Sequence, residues 1–503
     1  MSRVLEDLQP CRVFHYFEEI CGIPHGSGNT GKISDYCINF ALEHKLKYQA
    51  DEMGNIIIFK DASSGREQDG GVILQGHLDM VNVKKNESKH DFEYEGLELV
   101  VDGDYVYAKD TTLGGDDGIA VAYALAILES DTISHPALEV ILTVDEEIGL
   151  LGAAGIDISG TKSKYMINID SDADNVLWAG CAGGMTSVCK IPLSKECFTG
   201  IRAIVKVSGL RGGHSGGEID KERGNACIML GRVLYNLKRI CLFSIYDISG
   251  GLKDNAIPRE AKATIILDMK SQYFVDESAL DDASNDYKKT KLNDISEMVF
   301  KMNQMLKEEY LISDNDVSVS IEIVSEQYEE TYDNMSTEQI LLFLMNVPNG
   351  VQNMSKNIEG LVETSLNLGV LKIEEDTMIA HFSVRSSVES RKKALGDRLK
   401  YLTEFIGGDY SYSGDYPEWN FKVDSTLRSV MSGVYKKLFG ETPQIAAIHA
   451  GLECGYFSEK RPELDIISCG PNIFDIHTTE ERISILSVEK VYKFLIEVLK
   501  EIK

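Results

Sequence analysis

Leu138-Glu139-Val140-Ile141-Leu142-Thr143-Val144 is an apolar, β-branched run that breaks off into Asp145-Glu146-Glu147. A short run of this kind, too brief for a helix, reads as a buried strand. The same pattern recurs on both sides of it. Val72-Ile73-Leu74-Gln75 runs into Gly76-His77-Leu78-Asp79, and Tyr165-Met166-Ile167-Asn168-Ile169 runs into Asp170-Ser171-Asp172. Asn55-Ile56-Ile57-Ile58-Phe59 reads as a further strand. Residues 13–22 and 33–44 have helical spacing, with the turn-rich Pro24-His25-Gly26-Ser27-Gly28 between them. Ala120 to Leu128 reads as a buried helix entered through Gly114-Gly115-Asp116-Asp117-Gly118. Strands alternating with helices predict an α/β fold: a mostly parallel mixed sheet flanked by helices.

From about residue 184 the texture changes. Ala203-Ile204-Val205-Lys206-Val207 and Ala263-Thr264-Ile265-Ile266-Leu267 suggest half-exposed strands of an antiparallel sheet. Residues 275–335 are polar, acidic and helix-prone, and Met378 to Val384 again resembles a strand. A Gly/Asp/Tyr/Pro-rich stretch at 413–425 marks a boundary. Beyond it, helix 427–439, strand 464–469 and helix 487–502 return to the α/β style. The expected organisation is a first catalytic-domain part at 1–184, an inserted α+β domain at 185–412, and a second catalytic-domain part at 413–503.

The 503 residues carry 51 basic and 80 acidic side chains, a formal charge of 51 − 80 = −29. A surface this acidic repels phosphate backbones and anionic headgroups, which argues against nucleic-acid and membrane partners. No apolar stretch reaches the ~18 residues a membrane helix needs, and Met1-Ser2-Arg3-Val4-Leu5-Glu6-Asp7 has no signal-peptide core. None of the ten cysteines forms a Cys-x-x-Cys pair, and several sit in apolar runs, as reduced buried thiols do. The expectation is a cytoplasmic protein.

In an open parallel sheet, ligands collect beyond the carboxyl ends of the strands. There the sequence places His77, Asp79, Glu146, Glu147, Asp170 and, after Leu464 to Cys469 and Gly470-Pro471-Asn472, His477. Asp116 and Asp117 stand in a glycine-rich turn at a helix start. Each has an ordinary structural reading: surface His-x-Asp, N-cap aspartate, acidic turn or loop histidine. Together, two imidazoles and three carboxylates suit borderline divalent ions, and one bridging carboxylate lets five ligands hold two ions.

The sequence resembles the aminoacyl-histidine dipeptidases, among the co-catalytic zinc peptidases related to carnosinase and acetylornithine deacetylase. The resemblance rests on Gln75-Gly76-His77-Leu78-Asp79-Met80-Val81, Thr111-Thr112-Leu113-Gly114-Gly115-Asp116 and Leu142-Thr143-Val144-Asp145-Glu146-Glu147. It continues in Gly180-Cys181-Ala182-Gly183-Gly184, Gly212-Gly213-His214-Ser215-Gly216-Gly217-Glu218, Asn255-Ala256-Ile257-Pro258-Arg259-Glu260 and Ile448-His449-Ala450-Gly451-Leu452-Glu453-Cys454-Gly455. Departures are Gly115-Asp116-Asp117-Gly118, where Ala-Asp-Asn-Gly is common, and Thr478-Thr479, where Ser-Pro is commoner.

By resemblance, one zinc is bound by His77 and Asp170 and the other by Glu147 and His477, with Asp116 bridging; Mn2+ and Co2+ tolerate the same ligands. Asp79 orients His77, and Glu146 is the base that takes a proton from the metal-bridging water. The inserted domain is a lid and the contact of a homodimer. His214 within it stabilises the oxyanion, and Asn255, Arg259, Arg385 and His449 hold the substrate. The implied activity is cleavage of dipeptides with a free N-terminus, Xaa-His dipeptides such as carnosine included. A deacylase or tripeptide aminopeptidase on the same metal pair, and a non-catalytic scaffold, are the alternatives.

Overall fold

A computed structural model describes residues 3–269 and 280–503. The chain divides into two compact units, Met1–Cys181 with Pro417–Lys503, and Ala182–Tyr416. The boundaries expected from sequence were 184/185 and 412/413.

The first unit is built on an eight-stranded sheet. Its strands lie in the order Lys47–Ala50, Ile56–Lys60, Leu138–Thr143, Val72–His77, Tyr165–Asn168, Asp465–Ser468, Val176–Cys181, Gln444–Ile448. Pairing is antiparallel at the first two steps, parallel across the middle, antiparallel between 465–468 and 176–181, and parallel again at the end. The expected mixed α/β architecture is therefore present.

Burial explains the central strands. Leu138–Thr143 and Val72–His77 are buried at every position, because alternate side chains enter different cores. Val72, Leu74, Val140, Leu142 and Ile167 pack with helices Cys11–Cys21, Gly31–Glu43, Gly115–Glu129, Thr426–Phe439 and Ile485–Glu501. Ile73, Ile141, Met166 and Ile466 pack instead with the short helices Leu151–Gly155 and Cys454–Lys460. A small sheet, Ile473–Phe474, Arg482–Ser484, Tyr105–Ala108 and Leu99–Asp102 in that order, holds the loop 475–481 as a hairpin connection.

The second unit has a nine-stranded antiparallel sheet, with helices Ala226–Lys238, Asn334–Asn346 and Glu389–Phe405 packed in its core. Lys195–Ser208 alternates in burial from Ile201 on, as expected. Ala261–Leu267 does not: every residue but Lys262 is buried, with Ala263, Ile265 and Leu267 in the core and Thr264 and Ile266 covered on the opposite face of the strand. The acidic stretch also differs from expectation. Residues 275–279 lie outside the described residues, and 280–309 are helical, but Ser318–Tyr332 is a strand paired along Lys195–Ser208. Among the described residues no helix is long and apolar enough to cross a membrane. The cysteines are all free thiols; Cys11 and Cys197 are exposed and the others buried.

Candidate metal centre

His77 closes the Val72–His77 strand and is 1% exposed. Its backbone N–H donates to Oδ2 of Asp117 at 3.1 Å. Its Nδ1 faces the backbone carbonyl of Asp79 at 2.9 Å, with Oδ1 of Asp79 farther off at 3.5 Å. A neutral imidazole protonated at Nδ1 keeps its Nε2 lone pair for a cation. That Nε2 is turned to Oδ1 of Asp116, 3.2 Å away.

Asp116 lies just inside the start of helix Gly115–Glu129, with non-helical backbone at Asp116 and Asp117. The Asp116–Asp117 peptide is cis. The two aspartates have separate partners. Asp117 is 1% exposed and serves the His77 backbone, whereas Asp116 turns its second oxygen, Oδ2, to Nε2 of His477 at 3.3 Å. His477 also reaches Oε1 of Glu147 at 2.8 Å. Asp116 is thus the carboxylate common to both imidazoles.

The acidic turn after the Leu138–Thr143 strand is pinned by Asp79. The N–H of Glu146 donates to its Oδ1 at 2.9 Å and that of Glu147 to its Oδ2 at 3.3 Å, while the Ser27 hydroxyl donates to Oδ2 at 2.8 Å. Burial alone would raise the Asp79 pKa, but the bonds from His77, Glu146 and Ser27 outweigh it and hold it at about 2. Asp145, at φ 55°, makes the turn and accepts the Gly28 N–H at 2.6 Å.

Three groups of ligand atoms each fall within 4.8 Å of one another: His77, Asp116 and Asp170; Asp116, Glu147 and His477; and His77, Glu146 and Glu147. The first two share Asp116. The third brings Glu146 beside one member of each. Such a set cannot carry its full charge unaided. Burial, then the Asp116 charge, lifts Asp170 to about 8; burial, with Asp170, Glu453 and Glu147 adding to it and His77 opposing, lifts Glu146 well above the carboxylate range. His477 is pushed up to about 10 by its bonds to Asp116 and Glu147. Buried carboxylates that repel one another around two imidazoles fit a pair of divalent cations, whose charge relieves the repulsion.

Two residues that sequence reasoning passed over complete the centre. Glu481, 3% exposed, accepts the N–H groups of Leu113, Gly114 and Gly115 at 2.8, 3.2 and 2.8 Å. It ties the Asp116 turn to the loop carrying His477. Ser27 belongs to the turn-rich segment noticed only as a break between helices. The available cues were the consecutive glycine N–H groups at 114–115, which need an acceptor, and the Ser/Gly content of 24–28.

His449, also in this unit, is 6% exposed. The remaining expected residues lie in the second unit. The His214 Nδ1 accepts the N–H groups of Gly216 and Gly217 at 3.2 and 3.1 Å, so a neutral ring carries its proton on Nε2. Burial, then the nearby Arg385 charge, lowers its pKa and favours that neutral form. Asn255 accepts the Ser215 N–H through its carbonyl at 2.9 Å. Arg259 Nε donates to the Leu210 carbonyl at 3.3 Å, and Arg385 Nη1 to the Tyr416 hydroxyl at 2.9 Å.

An α/β sheet with two ligand sets sharing one carboxylate beyond its strand ends has the arrangement of a two-metal hydrolase. The chain belongs to peptidase family M20/M25/M40, whose family model matches residues 73–501. It is 35% identical over 500 residues, 99% of both chains, to the cytosol non-specific dipeptidase of Escherichia coli (strain K12). The crystal structure of aminoacylhistidine dipeptidase from Vibrio alginolyticus superposes with a TM-score of 0.91 at 33% identity, covering 99% of this chain and 98% of that one. A Staphylococcus aureus tripeptidase shares the fold at 15% identity, with a TM-score of 0.53 over 98% of both chains.

Proposed function

We propose that the protein is a two-metal dipeptidase cleaving dipeptides with a free N-terminus, Xaa-His dipeptides among them. The observation that carries this reading is the Asp116 carboxylate, with one oxygen toward His77 and the other toward His477. The end-to-end identity with a cytosol non-specific dipeptidase supports the substrate class.

In this reading His77 and Asp170 would hold one ion and Glu147 and His477 the other, with Asp116 the carboxylate available to both; Zn2+ is the ion the donor set would suit best, with Mn2+ and Co2+ tolerated. When bound, the pair supplies Lewis acidity to the scissile carbonyl and makes water a nucleophile near neutral pH. Glu146 takes the proton from the attacking water and delivers it to the leaving amine. Asp79 orients His77 and holds the Glu146-Glu147 turn. His214, an Nε2–H donor, stabilises the developing oxyanion, and Asn255, Arg259, Arg385 and His449 hold the substrate termini and carbonyl. The second unit acts as lid and as the contact of a cytoplasmic homodimer.

The test is hydrolysis of dipeptides, tripeptides and N-acyl amino acids by metal-depleted and reconstituted protein. We expect dipeptides to be preferred, activity to return with two equivalents of Zn2+, and Glu146→Ala to lower kcat by about 10²–10⁴-fold with metal content unchanged. Full activity without metal, or an undiminished Glu146→Ala enzyme, overturns the reading.

A further inference from the structure

Three strands of the first unit repeat one pattern on one face. Ile73, Ile141 and Met166 enter the core beneath helix Cys454–Lys460. Two residues on come Gln75, Thr143 and Asn168, all at most 1% exposed. Two residues further stand His77, Asp145 and Asp170, at the start of the metal-ligand layer. The polar row is hydrogen-bonded: Asn168 Nδ2 donates to Oε1 of Gln75 at 2.6 Å, and Gln75 Nε2 to the Thr143 hydroxyl at 3.3 Å.

Glu453, at the start of helix Cys454–Lys460, lies over this row and is 0% exposed. Its Oε2 accepts from Gln75 Nε2 at 2.5 Å and from the Thr143 hydroxyl at 2.8 Å. Its Oε1 has no hydrogen-bond partner among the described residues. A buried carboxylate with one bare oxygen is costly, and a neutral side chain filling the same space would be cheaper. The charge is the clue. When ionised, Glu453 adds to the repulsion at Glu146 and Asp170; burial works against that ionisation and raises its own pKa, so nearby cations favour the charged form.

We propose that Glu453 is a positioning residue for the metal pair, holding Gln75 and Thr143, and through them the strand ends that carry His77 and the Glu146-Glu147 turn, while its buried charge draws the cations in. This rests on the two-metal reading above. Glu453 trades stability of the metal-free fold for cation affinity. A purely structural glutamate would do the reverse.

The test compares parent and Glu453→Gln, which keeps shape and one acceptor oxygen but removes the charge. Zn2+ affinity is measured by calorimetry with a competing chelator, the visible spectrum is recorded with Co2+, and the metal-free proteins are melted. We expect Zn2+ affinity to fall by about 10–100-fold, the Co2+ bands to shift, and the metal-free variant to melt no lower than the parent. Thr143→Val, which removes one donor to Glu453, gives a smaller loss of about 2–10-fold and serves if the first variant does not fold. Parental Zn2+ affinity in either folded variant, or a lower melting temperature with unchanged affinity, overturns the proposal. If the parent itself binds fewer than two ions, the two-metal reading fails instead.

Discussion

Asp117 accepts the backbone N–H of His77 at 3.1 Å while its neighbour Asp116 faces the imidazole of the same histidine. Two adjacent aspartates therefore fix the two ends of one residue. The approach is close because residue 76 is glycine: a Cβ there would lie 2.5 Å from Oδ2 of Asp117 and 2.6 Å from the Cβ of Ala120.

Gly76→Ala should therefore push Asp117 away and release the His77 N–H. We expect a loss of about 1–3 kcal/mol in urea unfolding, as for other overpacked sites, together with weaker metal retention. Asp117→Asn, which keeps an acceptor oxygen, should be milder in both. Parental stability and metal retention in Gly76→Ala would show that the Asp117 contact is dispensable.

Glu481 carries a comparable burden. Replacing it with alanine leaves the N–H groups of Leu113, Gly114 and Gly115 without their acceptor. The cost should be on the order of 3 kcal/mol, with weaker metal retention on the Asp116–His477 side of the proposed centre. Glu481→Gln retains one acceptor and should lose less. Chemical denaturation combined with metal analysis of dialysed protein checks both effects.

Cation binding should release protons. Without metal, Asp170, at about 8, and His477, at about 10, both hold a proton at pH 7. Cations displace them, so apparent affinity should rise from pH 6 to pH 8. Calorimetry in buffers of different ionisation enthalpy should show the release; a heat independent of buffer would contradict it. The sign for stability is opposite. His477 has its pKa raised on folding, so its contribution to the metal-free fold is complete below about 6.5, the ordinary histidine value. It is lost as pH rises through about 10.

Much of the α/β unit was legible because its strands announce themselves twice, by apolar runs and by the ligand-type residues at which those runs stop. Val72–His77, Leu138–Thr143 and Tyr165–Asn168 are of this kind. Ser318–Tyr332 was not read as a strand because its acidic composition suggested a helix, although Val319, Ile321 and Ile323 alternate with the strand period. Glu481 was invisible for another reason. It follows Glu480 in a polar segment, and its role comes from amides 366 to 368 positions earlier, a distance over which local pattern carries no information. Asp117 could not be separated from Asp116 by sequence, since the difference is one of direction about a single turn.

The interior place of Asp465–Ser468 has a consequence for biosynthesis. That strand lies between Tyr165–Asn168 and Val176–Cys181, and Ser468 meets the Asp170 carbonyl across 298 positions of chain. At about 5–20 residues per second, a ribosome needs on the order of 15–60 s to supply it after the earlier strands have emerged. For that interval the nascent sheet has a slot where its middle should be, with unpaired backbone on both sides. The strands of the second unit's sheet all lie within 182–416 and have emerged by then; the sheet of the first still lacks its middle strand. The half-made chain, rather than the finished protein, is therefore the form most exposed to aggregation and most in need of a chaperone.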